Sequence, residues 1–162
     1  MYDALTLYFN EEKTESIWFV IIGVLSIALS VWLFFKFKDG FYRGLIIPLI
    51  LISLVQIAVG STVYLRSDKQ IEDTISRIEH DKQSAKSDEL TRMDEVMKNF
   101  TIYKWIEILF IISGVLMLVF IKENLFWQGL GAGLLIEGTF MIVLDVIAEM
   151  RGFKYLDWLQ QL

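Results

Sequence analysis

Residues 133–150 read GLLIEGTFMIVLDVIAEM, an apolar stretch that carries the acids Glu137, Asp145 and Glu149. A fourth acid, Glu107, interrupts the apolar stretch 105–121. An ionisable group inside such a segment is costly and by default marks a site. Depth then decides what chemistry each one can do. Glu137 stands at the midpoint of residues 125–148, with roughly 18 Å of helix on either side. Its side chain is too short to reach water from there. No basic residue shares its depth; the strongly polar group at that level is Gln56, with hydroxyls on Ser26, Ser53 and Ser113. Glu137 is therefore expected to face the protein interior within reach of Gln56 and to hold its proton at neutral pH. A neutral carboxyl there suits helix-to-helix hydrogen bonding, a proton or cation site, or a site for a headgroup or small ligand.

Asp145 and Glu149 fall in the last turns of their segment, where water, Arg66, Arg151 and Lys104 are within reach. Glu107 lies one turn past Lys104. Ion pairing is the expected role of all three. Asp145 and Glu149, four apart on one helix face, could hold only a hard, weakly bound cation, and no metal centre is expected. Gly129 and Gly133 form a Gly-x-x-x-Gly surface on the Glu137 face. Small residues let helices approach closely, so this surface is a candidate contact for a second protomer.

The elements that position these residues are apolar runs. Residues 17–35, 44–65, 105–121 and 125–148 dominate a chain that is 55% hydrophobic with a mean hydropathy of +0.51. At about 1.5 Å per residue such runs match a hydrocarbon core about 30 Å thick. The first run follows an acidic EEKTES and lacks a cleavage signature, so it is not expected to be a secretory signal. Lys and Arg concentrate on the side shared by the two termini and the central segment, which puts that side in the cytoplasm. The expected location is the inner (cytoplasmic) membrane. Trp18, Tyr64 and Tyr103 mark one interface, and Trp32, Tyr42 and Trp127 the other.

The predicted fold is an all-α membrane protein of four transmembrane helices in two tandem helical hairpins. Short connections at 36–43 and 122–124 make their flanking helices antiparallel neighbours. FYRGLIIPLIL from Phe41 aligns with FWQGLGAGLLI from Phe126 at an offset of 85 residues, and Arg66 then aligns with Arg151. Such a repeat implies a pseudo-twofold axis along the membrane normal. Residues 67–100 carry nine acids and six basic residues, with narrow apolar stripes at Ile71, Ile75, Ile78 and at Leu90, Met93, Met97, Phe100. They read as a cytoplasmic helical hairpin extending spans two and three, turning in HDKQSAKSD with Ser87 as a helix N-cap. Three parts result: residues 1–66, a transmembrane hairpin with an N-terminal interfacial segment; residues 67–100, a stalk; and residues 101–162, the second hairpin with a C-terminal interfacial helix. The ends, YDALTLYF and FKYLDWLQQL, suit short helices lying at the membrane surface.

Much chemistry is excluded by composition. There is no cysteine and one histidine, His80, in the polar middle. Thiol catalysis and haem held by two histidines of one chain are ruled out. A net charge of −5 and a pI near 4.9 argue against nucleic acid. No phosphate loop, nucleophile elbow or zinc-protease motif occurs, so no enzyme activity and no cofactor are expected. Two functions stand open. One is a non-enzymatic membrane accessory protein, such as a scaffold, a regulator or a defence or immunity component, acting through its stalk. The other is a small oligomeric channel or transporter for protons or cations, built on Glu137. The lipid bilayer is the expected partner of either, together with a homo-oligomer or a larger membrane complex.

Overall fold

The computed structural model describes residues 3–162. They form α1 (Asp3–Lys36), α2 (Gly40–His80), α3 (Lys82–Phe120) and α4 (Leu125–Gln161), all long and apolar enough to cross a membrane. The shortest has 34 residues and the longest 41, so each runs roughly 50–60 Å. That length exceeds a hydrocarbon core of about 30 Å; every helix has a polar end left over.

Each turn is set by one capping side chain. Asp39 accepts the Tyr42 N–H at 3.3 Å and starts α2; Asn124 accepts the Phe126 N–H at 3.1 Å and starts α4. Asp81 alone separates α2 from α3. In extended conformation, φ −147° and ψ 94°, it accepts the N–H groups of Gln83 and Ser84, both at 3.1 Å. The expected turn was longer and capped by Ser87. Instead Ser87 lies inside α3, because an aspartate that caps two amides reverses the chain at a single residue.

α2 packs on α4 at the centre, α1 lies along α2, and α3 along α4; the backbones of α1 and α3 stay apart, and their side chains meet at the polar end. Backbones meet through glycine. A Cβ on Gly44 would collide with the Phe126 carbonyl oxygen, one on Gly129 with the Phe41 carbonyl oxygen, and one on Gly133 with the Pro48 ring. The Gly129/Gly133 surface is thus filled by α2 of the same chain. It is not free for a second protomer, which corrects the assembly contact expected from the sequence. Gly23 and Gly60 serve the α1–α2 seam; Gly114, Gly131 and Gly138 serve the α3–α4 seam. No described residue adopts positive φ, so these glycines supply close approach and not turn geometry.

Large apolar side chains point outward along the spans. Leu25 is 61% exposed, Phe35 77%, Trp105 68% and Phe120 76%. Surface of this kind calls for lipid. At the polar end the order reverses. Leu5, Tyr8 and Phe9 of α1, Ile78 of α2, Ala85 and Met93 of α3, and Tyr155 and Leu159 of α4 make one buried cluster. The terminal segments are accordingly not separate surface helices. They continue α1 and α4 without a break, since Leu5 and Phe9, and Tyr155 and Leu159, carry apolar side chains at i, i+4 spacing that bury against α2 and α3. Tyr2 lies outside the described residues.

Candidate functional site

Two helices bring Glu137 of α4 its partners. Glu137 is buried at the middle of the α4 apolar run. Ser26 of α1 donates its hydroxyl to Glu137 Oε1 at 3.1 Å. Gln56 of α2 donates Nε2 to Glu137 Oε2 at 3.2 Å and lies 3.1 Å from Met141 Sδ. Gln56 is also buried, and its Oε1 has no partner. Turning that amide over would present Oε1 to a proton on Glu137. The site can therefore accept an ionised carboxyl with two donors, or a neutral one that donates.

Toward the polar end the charged groups arrange differently from expectation. Lys104 binds both oxygens of Glu149, at 2.6 and 2.8 Å. Arg151 pairs with Glu15, and Arg66 with Glu12 at 3.4 Å. Both arginines thus serve α1 rather than Asp145 or Glu107. The partners were hidden in EEKTES, which shows its acids but not that α1 lies where they reach α2 and α4. Asp145 and Glu107 sit against one another, buried and in no salt bridge; Lys104 lies near both but is bonded to Glu149. The ion-pair role expected for them does not hold, because Lys104 is committed to Glu149. Among the described residues no group of three His, Cys, Asp or Glu side chains could hold a metal ion.

A second polar group escaped the sequence reading. Glu89 is buried, and its carboxylate accepts from two of the three Arg92 nitrogens, Nε at 2.9 Å and one terminal nitrogen at 2.7 Å. It also accepts the Tyr155 hydroxyl at 2.9 Å. Tyr155 stacks on Tyr8 at 4.2 Å between ring centroids, and Arg92 lies over Phe9 at 5.4 Å. Burial, then the Glu12 carboxylate, pushes the Tyr8 hydroxyl up to about 12. Burial and Glu89 together raise Tyr155. Burial disfavours the Arg92 charge, but Glu89 more than offsets this and holds the guanidinium further into its charged form. The available signal was the i, i+3 spacing of Glu89 and Arg92 on one face of α3.

A cleft of about 240 Å³ opens beside this group, lined by Thr74, Arg77, Ala85, Asp88, Glu89 and Arg92. No family model matches the chain, and no curated protein or solved structure matches it either.

Proposed function

We propose that the chain is a non-enzymatic accessory protein of the inner membrane, with both termini cytoplasmic, that presents a rigid polar head to a partner. The observation that carries this reading is the buried cluster made by all four helices beyond their apolar runs. A head with its own core holds a fixed surface, as a docking element requires. Its tip exposes Arg77, Glu79, Lys82 and Asp88. The Lys/Arg bias supports the cytoplasmic orientation. The tandem-hairpin reading is supported by reciprocal contacts: Gly44 meets Phe126 and Leu130, and Gly129 meets Phe41 and Leu45, each the other displaced by 85 residues. Pro48 against Gly133 and Gln56 against Met141 obey the same offset. Assembly with further copies or a larger complex, in this reading, uses the outward faces of α1 and α3.

A second reading, proton- or cation-linked transport through Glu137, is favoured by the unpartnered Gln56 Oε1 beside it. Purified protein in vesicles loaded with a pH-sensitive dye separates the two. The accessory reading expects no proton or alkali-cation flux above that of empty vesicles. It also expects Glu79→Lys with Asp88→Lys to abolish rescue of a deletion strain at unchanged thermal stability. Flux that disappears in Glu137→Gln would establish transport instead.

A further inference from the structure

The carboxyls at the polar ends of the α3 and α4 spans outnumber the cations among them. Glu15 of α1, Glu107 of α3, and Asp145 and Glu149 of α4 stand near Lys104 and Arg151. Lys104 is held by Glu149 and Arg151 by Glu15. On α2, Arg66 is committed to Glu12. Glu107 and Asp145 are therefore left facing each other, 4% and 6% exposed. Neither oxygen of Glu107 has a hydrogen-bond donor. A bare buried carboxylate costs several kcal/mol, and a second one against it adds repulsion. Carboxylates only accept hydrogen bonds, so two of them in contact can bond only when one carries a proton.

We propose that Glu107 and Asp145 form an exchangeable proton site, one proton shared between the two carboxyls and bridging α3 to α4. The occupant is a proton rather than a metal ion because the described residues offer no third ligand at suitable geometry. The bridge adds a directional bond to a seam otherwise made by Gly114, Gly131 and Gly138. Removing the proton places two like charges in that seam and loosens it. The site is separate from Glu137, which has its own donors in Ser26 and Gln56.

The test uses the full chain in lipid nanodiscs. Infrared difference spectra between neutral and alkaline pH are expected to show loss of a protonated-carboxyl band in the native protein. That band should be absent from both Glu107→Gln and Asp145→Asn and present in Glu137→Gln. Thermal stability should fall on alkalinisation in the native protein and fall less in the two neutral variants. Persistence of the band in both variants would overturn the proposal. So would a native stability that rises with sodium at constant ionic strength against choline, which would make the occupant an alkali cation. Should one variant fail to fold, the band in the other variant, compared with Glu137→Gln, and the sodium series of the native protein decide.

Discussion

The spans and the polar head of this molecule are built inside out relative to one another. Along the spans most buried residues are small or polar, among them Gly23, Ser30, Gly44, Ser53, Gln56, Gly129, Gly133 and Glu137, with Leu33, Ile46 and Leu49 as large apolar exceptions, while Leu25, Phe35 and Trp105 face outward. In the head, Leu5, Phe9, Met93 and Leu159 are fully buried, while Glu79, Lys82 and Asp88 face outward. The same four helices carry both patterns. Lipid tails are as apolar as leucine, so burying leucine gains nothing in a span; close backbone approach and interhelical hydrogen bonds do the work there. In water the transfer of apolar surface dominates, and large side chains go inside. The lesson is that polarity and size exchange roles at the depth where the solvent changes.

Several substitutions break this comparison, and their effects descend in size. Gly129→Leu drives a side chain into the Phe41 carbonyl. It forces α2 from α4 and is expected to abolish the folded peak on fluorescence-detected size exclusion in mild detergent. Leu25→Ala, by contrast, removes only lipid-facing bulk and should leave the peak intact. In the head the sizes reverse. Phe9→Ala empties a fully buried site and is expected to lower stability by about 3–5 kcal/mol, read as cleavage of the head by limited proteolysis. Glu89→Ala leaves the Arg92 guanidinium and the Tyr155 hydroxyl without their acceptor. Arg92 keeps a quarter of its side chain in water, so the expected loss is roughly 1–3 kcal/mol. Glu89→Gln recovers part of it by still accepting from Tyr155.

The smallest effect at neutral pH is a titration. The folded Tyr8 hydroxyl is raised to about 12 from an ordinary value of 10. The unfolded chain thus loses that proton first, and stability from this group is complete below pH 10 and lost as pH rises toward 12. The loss amounts to roughly 3 kcal/mol. Tyr8→Phe is expected to flatten the alkaline limb of the head's melting curve between those pH values. An unchanged limb would assign it to Tyr155 alone.

Much of the scaffold was legible because it follows from local pattern. The apolar runs give four helices, since backbone groups in hydrocarbon must pair within the segment. The caps Asp39 and Asn124 were not singled out in the sequence, and the structure supplies them. The depth of Glu137 and Gln56 could be counted from the ends of their runs, and the structure brings the two within 3.2 Å. Legibility failed where two helices had to be placed side by side. Gly129 and Gly133 read equally well as a contact with another chain or with α2. Lys104 could have met Glu107 or Glu149. The stripe of Met93 and Met97 showed that α3 buries a face, but not that Tyr155 and Phe9 fill it.

The sequence by itself determined that the helices exist, where the apolar runs fall along them, and which groups lie at each position within a run. These properties depend on spacing along one chain and on the transfer free energy of single residues. Only the tertiary structure decided the pairings: Arg151 with Glu15, Arg66 with Glu12, Ser26 with Glu137, and Glu107 with Asp145. Those depend on how each helix is rotated about its own axis. A shift of one residue turns a helix by about 100° and changes every partner without changing the apolar run. Rotation is chosen by the summed fit of glycine seams and polar bonds across all four helices, a property of the packed whole and of no segment alone.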